Sequence, residues 1–249
     1  MFASESDQAQ LPVFRILLVA QVLAAGFFGL VPLLVPQAFA SWYGYTGHDE
    51  LVYRLAGAAS TGYAVAALLA LITRLSWAEL RIPVWATLTF NAAAAFAAAV
   101  SVSSGDRGIL PMFILVAASA FAVISAFWLF RDRGPVVPTG AVFEVGFRVV
   151  LALATLSAAV FGLFPLLAPE RFATLFELSG QDQFIFRLAG AATLGYAVAG
   201  ALELRSGDYR RIRLQNFAAV VFNVLGAIPD RAASWRPSLP LRPRSSRSP

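Results

Sequence analysis

The chain has no cysteine and one histidine, and none of its 19 basic residues is lysine. Without cysteine there is no disulfide, iron–sulfur cluster, thiolate zinc site or cysteine nucleophile. A lone His48 cannot build a bis-histidine haem site or a multi-histidine metal site. Charge is scarce too, with Asp, Glu, Lys and Arg at 13% against 59% apolar residues. The P-loop, GxSxG, HExxH and CxxC motifs are all missing, and no closely spaced carboxylate pair lies within an apolar run. Together these absences point away from an enzyme and set the expectation of no catalytic residue, no metal and no cofactor. The net charge of +5 is not a nucleic-acid signal, because the arginines flank apolar runs or sit in the C-terminal tail.

What is present is apolar sequence in runs of about twenty residues, the length a helix needs to cross the hydrocarbon with its backbone bonds satisfied internally. The chain therefore reads as an all-α, multi-pass membrane protein in contact with the lipid bilayer. Spans are expected near 13–35, 52–73, 82–102, 109–130, 147–168, 185–204 and 213–228, seven in all. Glu5 and Asp7 replace the basic start of a signal peptide, so the first span reads as an uncleaved anchor despite the Ala-x-Ala at Ala38–Ala40.

The same chain also contains itself twice. From Phe14-Arg15 through FFGLVPLLVP, a Gly-x-Asp and YRLAGAASTGYAVA, it matches the stretch from Phe147-Arg148 through VFGLFPLLAP, a Gly-x-Asp and FRLAGAATLGYAVA. The offset holds for about fifty residues with roughly half the positions identical, then resumes after a one-residue slip at Arg81/Arg213 and Asn91/Asn223. The expected organisation is a polar N-terminal tail (1–12), a four-helix module (13–133), a linker (134–146), a second module of three helices (147–228) and an Arg/Pro/Ser-rich tail (229–249). An even number of spans in the first copy makes the repeat parallel rather than inverted. The tail cannot form a span, and its arginines would fall on the wrong side. A frameshift or truncation of an eight-helix ancestor accounts for both facts, a native disordered tail only for the first.

Orientation follows from arginine asymmetry. Arg15, Arg74, Arg81, Arg131, Arg133, Arg148, Arg205, Arg210, Arg211 and Arg213 fall on one side, Arg54, Arg107, Arg171 and Arg187 on the other. Since cytoplasmic loops accumulate arginine, the N-terminus is expected in the cytoplasm. Exclusive use of arginine with abundant alanine suggests a GC-rich bacterial genome, and hence the bacterial inner membrane.

Four polar features occur in both copies. Arg54 and Arg187 sit near the outer end of the second helix of each module, as interfacial anchors or as cations presented to an anionic group. Asp49 and Asp182 precede those helices and are expected to cap them. Asn91 and Asn223 lie near mid-membrane, as structural glue or as polar contacts in a small-molecule or quinone cavity, and Tyr63 and Tyr196 carry the same ambiguity. Ala58/Gly62 and Ala191/Gly195 form small-xxx-small steps, which make this second helix the expected packing helix. The segments from Pro36 and Pro169 are too polar to span, the second reading as a short amphipathic helix in the interface.

A proline-punctuated first helix, a P-x-x-F-A segment, a glycine–aspartate turn and an R-L-A-G-A-A helix resemble the small DoxX-like four-helix membrane proteins and related membrane domains of unknown function. The resemblance covers each copy. It implies a helical membrane bundle, in some relatives tied to quinone-linked sulfur oxidation or membrane redox complexes, and transfers no catalytic residue. The function expected is a non-enzymatic bundle, a partner subunit or a lipid- or small-molecule-binding, permease-like module, with a membrane protein partner or a second copy as associates. The alternative is a quinone-binding accessory subunit of a membrane oxidoreductase.

Reporter fusions check the topology. Those after Thr73, Arg133 and Gly207 are expected in the cytoplasm and those after Gly47, Asp106 and Ser179 outside. Gly47 and Thr73 on the same side overturns the span assignment.

Overall fold

The computed structural model describes residues 5–73, 75–131 and 143–228, and regular structure among them is helical. The helices are α1 (Glu5–Leu34), α2 (Pro36–Trp42), α3 (Glu50–Thr73), α4 (Trp77–Ser103), α5 (Ile109–Arg131), α6 (Val145–Leu167), α7 (Pro169–Leu175), α8 (Gln183–Ser206) and α9 (Tyr209–Gly226). Six are long and apolar enough to cross a membrane: α1 from Phe14 onward, α3, α4, α5, α6 and α8. The chain is an integral membrane protein. The expected seventh span coincides with α9, whose first turns carry Arg210, Arg211 and Arg213, and α9 is not among those six. Helix α1 starts at Glu5, inside the stretch read as a polar tail, while the tail at 229–249 and most of the linker lie outside the described residues.

Local chemistry sets several boundaries. Pro36 and Pro169 open the two short helices at the one position where a missing N–H costs nothing. Ser76 and Glu79 form a reciprocal capping box that starts α4. Gly207, at φ 65°, ends α8 in a left-handed cap that L side chains resist.

Packing is organised around α3 and α8, the two most deeply buried spans. Each lies against the helix that precedes its short interfacial segment, α3 on α1 and α8 on α6. Glycines make those approaches possible: a Cβ at Gly57 would stand 2.6 Å from the Gly29 carbonyl oxygen, and one at Gly190 would stand 2.5 Å from that of Gly162. The third helix of each sequence copy then crosses over. α4 packs chiefly on α8 and α5, while α9 packs chiefly on α3 and α4, so the core runs continuously across the boundary between the two stretches.

At the centre α3 and α8 touch each other. Tyr63 donates its hydroxyl to the Ala192 carbonyl at 2.9 Å, and Tyr196 donates to the Ala59 carbonyl at 2.9 Å. The two rings are 4.8 Å apart, Phe90 of α4 stacks on Tyr63 at 4.9 Å, and Phe222 of α9 stacks on Tyr196 at 5.1 Å. Four rings thus form a ladder across the bundle. Gly62 and Gly195 leave room for it, since an added methyl at Gly62 would run into the Tyr196 hydroxyl and one at Gly195 into that of Tyr63. Both tyrosine hydroxyls are therefore bound to backbone at the heart of the fold, and Ala58 and Ala191 are fully buried beside them.

The start of both helices carries a second reciprocal contact. Asp182 accepts from the Thr46 amide (3.0 Å), the Thr46 hydroxyl (2.8 Å), the Gly47 amide (2.9 Å) and the Tyr53 hydroxyl (2.8 Å). Asp49 accepts from the Ser179 amide (2.8 Å), the Ser179 hydroxyl (2.6 Å) and the Gly180 amide (3.0 Å). These aspartates do not cap their own helices with their side chains as the sequence suggested. Only their backbone carbonyls serve there, accepting from Val52 and Ile185 at 2.9 Å, and Asp182 makes no side-chain cap bond. The opposite loop offers each carboxylate a concave set of amides, opened by Gly47 and Gly180 at φ 68° and 66°, which outmatches one or two amides of its own first turn. Because the contacts pair start with start and middle with middle, α3 and α8 run side by side in the same direction.

Gly62→Ala and Gly195→Ala are each expected to lower thermal stability in detergent by roughly 1–3 kcal/mol, the usual cost of an overpacked core. Gly26→Ala, where nothing lies within 4 Å of an added Cβ, is expected to be neutral. Adding Tyr196→Phe should restore part of the Gly62→Ala loss, and only part, because the Ala218 carbonyl oxygen still stands 2.7 Å from that methyl.

Candidate functional site

Two cavities flank the aromatic ladder at matching places in the sequence. The first lies between α1, α3, α4 and α5 and includes Gln21, Ser60, Tyr63, Phe90 and Asn91 in its wall. Its volume is about 110 Å³. The second lies between α6, α8, α9 and the start of α3, with a volume of about 500 Å³. Tyr196, Phe222 and Asn223 take the places there that Tyr63, Phe90 and Asn91 hold in the first.

The size difference has a visible cause. Leu110, Phe113, Ile114 and Phe121 of α5 fill one side of the first cavity, and among the described residues no helix stands in the equivalent place beside the second. The polarity differs as well. Thr155, Glu203 and Gln215 line the second cavity, and the residues that correspond to them in the first copy are the apolar Val22, Ala70 and Pro83. Thr193, Tyr196, Gly200 and Glu203 fall at helical spacing on one face of α8, and all four line the second cavity. An added Cβ at Gly200 would run into the Thr155 hydroxyl, so this glycine keeps α6 close.

The residues singled out in the sequence are distributed unevenly over these features. Asn91 and Asn223 each line a cavity, but both amides donate back to their own helix, to the Thr87 carbonyl at 2.8 Å and the Ala219 carbonyl at 2.7 Å. Tyr63 and Tyr196 contribute to the cavity walls while their hydroxyls serve the backbone. Arg54 and Arg187, in the first turns of α3 and α8, line neither cavity. Arg54 pairs with Glu50 at 3.4 Å. Near the same end of the bundle, Tyr45 donates to Asp106 at 3.2 Å and Ser101 donates to Asp106 at 3.0 Å, tying the loop after α2 to the α4–α5 turn. Burial, then the Asp106 carboxylate, pushes the Tyr45 phenol above its ordinary range.

Glu203 and Gln215 were not singled out in the sequence, although a signal existed. An acid inside an apolar span whose counterpart in the other copy is alanine is an intramembrane ionisable group, and such groups are costly to keep. Among the described residues no cluster of His, Cys, Asp or Glu could hold a metal ion. No family model, curated protein or solved structure matches the chain.

Arg54→Lys and Arg187→Lys are expected to change stability in detergent by less than about 0.5 kcal/mol, because a lysine at the same depth also reaches the interface and keeps the charge. A large loss at either position would mean that a guanidinium fork is required there.

Proposed function

We propose that this chain is a non-enzymatic bundle of the bacterial inner membrane that binds a small apolar or amphiphilic molecule in the second cavity, as a permease-like or partner module. The observation that carries this reading is the 500 Å³ cavity itself, walled by helices, lined by aliphatic, aromatic and a few polar side chains, and, among the described residues, without a helix in the place that α5 holds beside its counterpart. Volume and lining of this kind are those of small-molecule sites, and that flank within the membrane-spanning region offers lateral entry from the bilayer.

The same proposal takes the chain as a parallel tandem repeat related to DoxX-like proteins, with a cytoplasmic N-terminus and α9 as a seventh, polar-ended span. The reciprocal tyrosine and aspartate contacts support the repeat, and the salt bridge from Arg213 to Glu79 of α4 at 2.9 Å helps α9 hold its charged end. A membrane protein partner or a second copy would supply a helix beside the second cavity, where none stands among the described residues. A quinone in this cavity is the second reading, supported by the Gln215 amide as a donor to a carbonyl.

Nile red, a neutral environment-sensitive dye, tests the cavity in purified protein. Its bound fluorescence is expected to fall at least several-fold in Ala158→Phe, which fills the second cavity. The matching Ala25→Phe in the first cavity should leave it near the wild-type level. Equal fluorescence in wild type and Ala158→Phe overturns the proposal, and an extractable quinone with its optical spectrum would favour the second reading.

A further inference from the structure

Glu203 is 2% exposed and Gln215 is 2% exposed, and both line the second cavity. The Glu203 Oε1 atom and both amide atoms of Gln215 have no hydrogen-bond partner among the described residues. They approach from the two sides of the α8–α9 turn, each within about two helical turns of it, so they sit at the same end of the cavity. No basic residue lines the cavity with them. An acceptor-rich end without a counter-charge is an expensive arrangement inside a membrane protein, since buried charges are otherwise paired and buried polar groups otherwise bonded. The nearby acid–base pair, Asp208 with Arg211 at 3.2 Å, shows that pairing is available at this end of the bundle and that Glu203 is left out of it.

Aromatic rings are also part of a wall that is otherwise largely aliphatic: Tyr196 and Phe222 stand about two helical turns from Glu203 and Gln215 on the same two helices, while Phe161, Phe172 and Phe186 lie toward the start of α8. Ring faces attract cations, most strongly where water is excluded. The first cavity makes the contrast from within the same molecule. It shares the ladder and has the matching asparagine but no carboxylate in its wall, and α5 narrows it.

We propose that the second cavity is a site for a hydrophobic organic cation, a compact apolar or aromatic body bearing one amine or onium centre, with Glu203 as its counter-charge and Tyr196 and Phe222 as the rings nearest that charge. The Gln215 carbonyl adds a second acceptor for a ligand that carries an N–H. Gly200 and Thr155 set the width of the cavity between α6 and α8. This assignment of ligand class rests on the small-molecule-binding reading given above.

Tetraphenylphosphonium and tetraphenylborate, ions of nearly the same shape and opposite charge, provide the test. Each is titrated against bound Nile red in wild type, Glu203→Gln, Glu203→Asp and Ala158→Phe. The cation is expected to displace the dye from wild type and the borate is not. Glu203→Gln should weaken displacement by the cation at least ten-fold, measured against the dye affinity of the same variant, and Glu203→Asp should retain most of the preference. Equal displacement by both ions in wild type overturns the cation assignment, even if Glu203→Gln fails to fold, and so does an undiminished response in Glu203→Gln. Those outcomes leave the binding reading standing, provided that the dye still depends on Ala158. Loss of that dependence removes the cavity as a site altogether.

Discussion

The close crossing of α3 and α8 is the constraint on which the remainder of the bundle depends. Two tyrosine hydroxyls reach carbonyls on the opposite helix, and they do so only because glycines at positions 62 and 195 present no side chain. Between helices in hydrocarbon the apolar effect offers no net attraction, so contact must come from dense packing and from hydrogen bonds, each worth about 0.6 kcal/mol on average. The geometry uses both at one place. Once those helices are in register, α4 and α9 have fixed surfaces to lie on, and their Phe90 and Phe222 rings complete the ladder.

A second lock at the start of the same helices acts through charge. Each aspartate gathers the amides and hydroxyl of the other loop, and hydrogen bonds to a charged acceptor are about twice as strong as neutral ones. The two sequence copies are consequently joined at two levels, by carboxylates at one end and by phenols at the centre.

Against this matched frame the two cavities diverge. α5 narrows the first to about 110 Å³, whereas the second keeps about 500 Å³ with a carboxylate and an amide at one end. The shared features, the ladder and the asparagines that bond their own helices, answer to folding. Of the polar groups in the second wall, Glu203 and Gln215 are the unshared ones whose buried atoms have no partner among the described residues.

Much of the fold was legible from hydropathy alone. The six long apolar helices fall close to the apolar runs because a chain in hydrocarbon must satisfy its backbone locally, which ties helix position to composition. The packing role of the LAGAA segment was also readable, since small residues four apart announce close approach. The partners were not: nothing in the spacing of Asp49 or Asp182 distinguishes a local cap from a carboxylate spent on a loop more than a hundred residues away, and both satisfy the same polar pattern. Likewise the sequence marked Asn91, Asn223, Tyr63 and Tyr196 as polar groups in apolar surroundings, but which of them are already bonded depends on carbonyls that the fold places within reach. By itself the sequence determined a helical membrane chain, because that follows from the length and apolarity of its runs. Only the tertiary structure decided that α4 and α9 cross over, that one cavity is narrow and the other wide, and that Glu203 lines the wider one, because these depend on distances between residues far apart in the chain.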